Sequence, residues 1–188
     1  MLDDIRQILL ENIMVKQNLL GSALLIQQIA DCLTDVLQNG QKIMVCGNGG
    51  SAADAQHMAA ELIGRFEMER RAFPVIALTT NSSTLTAWAN DYSYATVFAR
   101  QVEALAQAGD ALIGISTSGN SQNILRAIET AKSRKVHTIG LTGEGGRLAD
   151  MADLCLCVPS HSTPRIQEAH ITVIHILCAL IEKKLGQS

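Results

Sequence analysis

The sequence predicts an α/β protein with one doubly wound domain, and three observations predict it. Five short apolar runs are too short for helices and apolar at consecutive positions, as strands buried on both faces are: KIMVC (42–46), PVIAL (74–78), ALIGI (111–115), VHTIGL (136–141) and DLCLCV (153–158). Helical stretches alternate with these runs, so consecutive strands are joined by crossovers and lie parallel. Gly, Ser and Thr gather just after the runs, at the carboxyl ends of the strands, where open parallel sheets bind ligands.

Each element follows in order. Residues 1–40 read as an N-terminal helical hairpin, roughly 3–20 and 22–38. Ile26, Ile29, Ala30, Leu33, Val36 and Leu37 recur on one helix face, and Gly40 stands where a C-cap glycine belongs. Residues 41–188 read as the α/β core, a five-stranded parallel sheet flanked by helices. Its helices are expected at 52–64, about 83–107 with a break near Asn90, 121–133, 147–151 and, longest, 164 to about 185.

Composition narrows the function. The 188 residues suffice for one sizeable core. Net charge is −3 and aromatics are 3% of residues, which argues against nucleic-acid grooves and stacking platforms. No uninterrupted apolar run reaches the roughly 18 residues of a membrane span, and two acids near the N-terminus argue against a secretory signal. A 47% hydrophobic content predicts apolar surface hidden between subunits. Cys32, Cys46, Cys155, Cys157 and Cys178 form no CxxC pair and read as small buried thiols of a reduced cytoplasm.

Three loops follow strands. In the first, Gly47, Gly49 and Ala52 fit the permissive dinucleotide fingerprint, but Leu78 is followed by Thr79, Thr80 and Asn81 rather than by the acid that holds a ribose. No nucleotide cofactor is expected; a ligand-free tight turn competes with a ligand loop. The second, Ser116-Thr117-Ser118-Gly119-Asn120-Ser121, sets four hydroxyls at a helix N-terminus, more than capping needs, and suits a monophosphate dianion. It lacks the Gly-Lys-Ser/Thr of a nucleotide-hydrolysing loop. The third, Thr142-Gly143-Glu144-Gly145-Gly146, reads as a turn.

His57 and Glu61 lie four apart on one helix face. Gln167, Glu168, His170 and His175 interrupt the apolar last helix and need partners. A functional role is expected of His175 and a single core hydrogen bond of His170. His137 reads as structural and His161 as exposed.

The segments CGNGGSAADAQHMAAELIGRF, ALTTNSSTLTAWANDY, GISTSGNS and RIQEAHITVIHIL together resemble the sugar isomerase (SIS) domain family, over essentially the whole chain. The resemblance implies a ketose-aldose isomerase that interconverts sedoheptulose 7-phosphate and D-glycero-D-manno-heptose 7-phosphate, on the route to the heptose of bacterial lipopolysaccharide or other glycans. It implies a cytoplasmic homotetramer with active sites at subunit interfaces. Asn48, Gly49, Gly50, Asn90, Asp91, Ser116, Thr117, Ser118, Ser121, Glu61 and Gln167 would bind substrate. Glu61 would act as base and His175 as acid, and His57, Glu61, Gln167 and His175 would hold zinc. A non-catalytic branch that associates with the replication initiator lacks the acid and the histidine, and both are present here. Pro164 stands where some relatives carry an acid. In an unbroken last helix, Gln167 and His175 are about 12 Å apart along the axis. Either that helix is broken between them or one residue comes from a neighbouring subunit; the apolar content favours the second, and with it a shared site to which Glu61 and His175 come from different chains.

Overall fold

The computed structural model describes residues 1–186. In chain order the elements are α1 (Leu2–Asn18), a 3-10 turn (Leu19–Ser22), α2 (Ala23–Gln38), β1 (Ile43–Gly47), α3 (Gly50–Ile63), β2 (Val75–Ala77), α4 (Ser82–Asp91), a 3-10 turn (Tyr94–Thr96), α5 (Val97–Leu105), β3 (Ala111–Ser116), α6 (Gln122–Ser133), β4 (His137–Thr142), α7 (Arg147–Met151), β5 (Leu154–Cys157) and α8 (Thr163–Leu185). The strands form one parallel sheet in the order β2-β1-β3-β4-β5. Each apolar run became a strand, within a residue or two of its expected bounds.

Alternation along each strand feeds two cores. Ile43 and Val45 of β1, with Ile113 and Ile115 of β3, face a layer containing α2, α3 and α8. Met44, Cys46 and Leu112 face α5 and α6 on the other side. Fully burying one such side chain stabilises the fold by about 1.5–3 kcal/mol. At the amino ends, buried Asp110 accepts from the Lys42 and Gln107 backbone N–H groups and pairs with Lys42 Nζ at 2.5 Å, fixing where β1 and β3 begin. Strand order reverses between β1 and β3, so the loops after these two strands flank the crevice that open sheets use for ligands.

Several expectations are corrected. The N-terminal segments do not form a hairpin: α1 packs on α8 and on the turn at Leu19–Ser22, not back along α2. Asn18, Leu19 and Ala23 all keep right-handed helical backbone, so nothing reverses the chain, and Leu2–Gln38 runs on as one helical stretch. One 18-residue window of that stretch has a mean hydropathy of 1.2, long and apolar enough by composition to cross a membrane, and 39% of it is buried within the protein. All six apolar positions named for α2 are buried. The helical break comes just after Asp91, near Asn90 as expected. Cys46 and Cys178 are buried, but Cys32 on α2 is only partly so, and Cys155 and Cys157 are partly buried and exposed because β5 is an edge strand. His137, at the start of β4, is exposed too.

Candidate active site

The second loop is built from hydroxyls that face each other. Ser121 occupies the N-cap of α6 yet makes no capping hydrogen bond with its side chain. Its Oγ lies 3.0 Å from Ser116 Oγ, and Ser116 Oγ lies 3.5 Å from Ser118 Oγ. Three hydroxyls thus converge where the first-turn N–H groups of α6 have no carbonyl four residues back, which is the donor array a phosphate needs. Gly119 (φ 65) turns the chain through the left-handed region, and a Cβ there would stand 2.7 Å from the Gly145 carbonyl oxygen. The third loop is more than a turn, because it braces the second. Gly143 N donates to the Thr117 carbonyl at 3.1 Å, Leu148 N to the Gly119 carbonyl at 2.9 Å, and Arg147 N to Asn120 Oδ1 at 3.1 Å.

The first loop leads from β1 into α3 through Gly49, at φ 55. Asn48 and Asn123 exchange amide hydrogen bonds of 2.9 and 2.8 Å, and Tyr94 Oη donates to Asn48 Oδ1 at 3.0 Å. The first loop is therefore coupled to the helix that carries the second. Asn123 and Tyr94 escaped sequence reasoning; the available signal was a polar residue on the buried face of α6. Asn90 and Asp91 end α4 and hydrogen-bond to each other at 2.9 Å. Among the described residues no side-chain hydrogen bond joins them to either loop.

Two helices build the third part. On α3, His57 Nε2 lies 3.0 Å from Glu61 Oε1. On α8, His175 Nε2 lies 3.1 Å from His57 Nε2, although 118 residues separate them. One ligand atom from each of the three side chains falls within 4.8 Å of the others. The expected division of Glu61 and His175 between subunits is thereby corrected: one chain supplies both, because α8 lies directly on α3. A nitrogen protonated to donate to Glu61 cannot accept from His175, so hydrogen bonds leave one of the three atoms unmatched. A cation satisfies all three. The two short separations are near the ~3.3 Å edge of a tetrahedron with bonds of about 2 Å, so these residues fit a metal ion.

Gln167 does not join them. α8 is unbroken from Thr163 to Leu185, and the Gln167 amide packs on Gly50, where a Cβ would meet its Nε2 at 2.5 Å. Its place is beside the first loop, about 12 Å along the axis before His175.

Two further groups border the cluster. Asp54, one turn before His57, has a buried Oδ2 with no partner among the described residues. Burial raises its carboxyl to about 6, opposed by His57. Phe66 stacks on the His175 ring, with centroids 5.7 Å apart and planes 28° apart. His170 is a fully buried core histidine with one hydrogen bond, Nε2 to the Thr142 carbonyl at 3.2 Å, and burial lowers its imidazole to about 4. His161 is exposed, as its Ser-rich loop suggested.

Known proteins share both the sequence and the fold. The SIS domain family model matches residues 7–143. A phosphoheptose isomerase of a Nitratiruptor species is 63% identical over 150 residues, 79% of this chain and 80% of that protein. Among solved structures, a phosphoheptose isomerase from Neisseria gonorrhoeae superposes with a TM-score of 0.92 at 45% identity, covering 96% of this chain and 98% of that one. One from Francisella tularensis gives 0.94 at 41% identity, covering 97% and 98%. The whole architecture, N-terminal helix included, is thus shared with enzymes that isomerise sugar phosphates. The chain belongs to the SIS domain family and, within it, to the phosphoheptose isomerases.

Proposed function

We propose that this isomerase converts sedoheptulose 7-phosphate to D-glycero-D-manno-heptose 7-phosphate for heptose synthesis, with the phosphate on the Ser116–Ser121 loop and the reacting carbons between α3 and α8. The observation that carries the reading is the meeting of Glu61 and His175 in one chain, next to His57, on helices that start from or run beside the ligand loops.

Moving a carbonyl from C2 to C1 requires a proton to leave C1, an enediol, and a proton delivered at C2, with the oxygens served in between. Glu61 is suited to take and return the carbon-bound proton. His175, held between Phe66 and His57, is suited to move a proton at the oxygens. Ser116, Ser118 and Ser121 bind the remote phosphate equally in ground and transition states, so their contribution belongs to KM. Asn48, Gly49, Gly50 and Gln167, which meet at the start of α3, are the proposed contacts to the sugar, together with Asn90 and Asp91 at the end of α4.

His57, Glu61 and His175 are the residues that would hold zinc, which when bound supplies Lewis-acid polarisation of the carbonyl. A liganded imidazole does not exchange protons freely, so His175 serves either as acid or as ligand in a given state. Stripping the metal distinguishes the two. Full turnover in metal-free protein assigns His175 to proton transfer, and loss restored by zinc assigns it to the metal.

A cytoplasmic homotetramer with sites at subunit contacts is part of the proposal. Leu9, Leu10, Ile13, Leu20 and Leu24 are exposed along the N-terminal helical stretch, and a cavity of about 610 Å³ opens between α2 and α8. In such an assembly Gln167 of the metal set is taken from a neighbouring copy, because this chain's own Gln167 packs on Gly50.

The experiment is to incubate purified protein with five- to seven-carbon ketose phosphates and follow aldose formation. Turnover is expected with the seven-carbon substrate and is expected to vanish in Glu61→Gln and His175→Asn. Near wild-type turnover in either variant removes that residue from the mechanism.

A further inference from the structure

We propose that Arg70, Glu182 and Phe66 are positioning residues, forming a buried clamp that sets α3 against α8 and presses an aromatic ring onto His175. The inference rests on the reading of Glu61 and His175 as the proton-transferring pair. It starts from an ion pair that the chemistry described above does not use.

Arg70 Nε and Glu182 Oε1 are 3.0 Å apart, with side chains 1% and 2% exposed. Glu182 lies on α8, seven residues and about two turns beyond His175. Its carboxylate accepts from the backbone N–H groups of Phe66 (3.0 Å), Glu67 (2.6 Å) and Met68 (2.8 Å) as well as from Arg70. Burial alone would raise this carboxyl; those N–H donors and the guanidinium outweigh it and hold it below the usual carboxylate range.

Arg70 grips the other helix. Its guanidinium donates to the carbonyls of Glu61 (2.8 Å), Leu62 (2.9 Å) and Gly64 (3.0 Å), and it stacks on Phe73 at 4.3 Å. The last carbonyls of a helix lack intrahelical partners and carry the negative end of its dipole, so a buried guanidinium there is favourably placed. One of the carbonyls it holds is that of Glu61 itself.

A buried ion pair is often no more stabilising than apolar side chains of the same volume. What apolar side chains cannot do is bind six backbone groups between Glu61 and Met68 at once while one of the pair is anchored on α8. The outcome is specific: the three N–H groups fixed by Glu182 include that of Phe66, and the Phe66 ring then lies on His175. The His175 imidazole is confined between Phe66 and His57, at centroid distances of 5.7 and 5.0 Å. Displacement of a reacting group by about 1 Å can cost on the order of 100-fold in rate, so confinement of this ring is a kinetic matter as well as a packing one.

The test is steady-state kinetics with sedoheptulose 7-phosphate, accompanied by thermal melts, on Phe66→Leu, Phe66→Tyr, Glu182→Gln, His175→Asn, Glu61→Gln and the double variant Phe66→Leu/His175→Asn. Phe66→Leu should lower kcat roughly 10- to 100-fold with KM within about twofold, and Phe66→Tyr should restore it. Glu182→Gln should lower kcat in the same manner and lower the melting temperature; if it does not fold, the Phe66 variants decide. Any activity left in His175→Asn should be unaffected by the further loss of Phe66, because a positioning group has nothing left to position. Unchanged kcat in Phe66→Leu while Glu61→Gln is inactive overturns the clamp alone. A KM effect without a kcat effect also overturns it, by making Phe66 a substrate contact. Retained turnover in Glu61→Gln overturns the reading of the proton-transferring pair, and the clamp with it.

Discussion

The Ser116–Ser121 loop and the His57–Glu61–His175 cluster are made in opposite ways. The loop is six consecutive residues between β3 and α6, shaped by one left-handed glycine and supported by a second glycine-rich turn. The cluster is drawn from two helices far apart in sequence and has no local frame; its geometry is only as good as the packing of α3 on α8. A local site tolerates changes elsewhere and fails through its own backbone. An assembled site fails through residues that never touch the substrate, here the buried Arg70–Glu182 pair.

The largest expected effect breaks the cluster by subunit mixing. Unfolding and refolding Glu61→Gln and His175→Asn together should restore no activity, since one chain supplies both groups. Mixing Gln167→Ala with His175→Asn should restore part of it if Gln167 acts from a neighbouring copy. Recovery in the first mixture, with subunit exchange verified by mass spectrometry, reverses the single-chain assignment.

Next, Gly119→Ala should damage the loop as a unit. The added Cβ meets backbone of the bracing turn at 2.7 and 2.9 Å, and a left-handed φ of 65° disfavours alanine. A loss of about 2–4 kcal/mol in denaturant unfolding is expected, together with a raised KM. Wild-type values for both would show that the two loops move apart readily.

Smaller and cleaner are Ser118→Ala and Ser121→Ala, each deleting one hydroxyl from the convergent set. Each should raise KM about tenfold, the worth of one hydrogen bond to a charged group, with kcat kept. A fall in kcat with KM unchanged would blur the division between binding loop and reacting cluster.

The last prediction concerns the brace from beneath. His170 binds the Thr142 carbonyl at the start of the third loop, and its imidazole is lowered from 6.5 to about 4 by burial. The unfolded chain therefore binds the extra proton first as pH falls. Stability from this group is present above pH 6.5 and is lost progressively toward pH 4, amounting to about 3 kcal/mol for a shift of this size. His170→Asn should flatten that part of the stability profile measured by denaturant unfolding. An unchanged slope would mean that other groups govern it.

Much of this molecule is legible in its residues. Strands buried on both faces must be apolar at every position, so KIMVC and ALIGI announce themselves without reference to their neighbours. The Ser116–Ser121 loop is legible for a related reason: hydroxyls crowded at a helix start are local chemistry, and the Ser121 side chain does not cap α6. His57 and Glu61 share a helix face, so their adjacency is fixed by helical periodicity. The path of the chain after α1 is not legible in this way, because apolar periodicity marks helices but does not say whether Gly21 reverses the path.

The tertiary structure alone decided the rest. That His175 meets His57 and Glu61 within one chain depends on how α8 lies on α3, a packing angle that no local pattern encodes. Placing Gln167 on Gly50, Tyr94 on Asn48, and Glu182 on the N–H groups of residues 66–68 required the same long-range docking. Periodicity and propensity act over a few residues, whereas a separation of about 3 Å between side chains over a hundred residues apart is set only when two apolar cores close on the sheet.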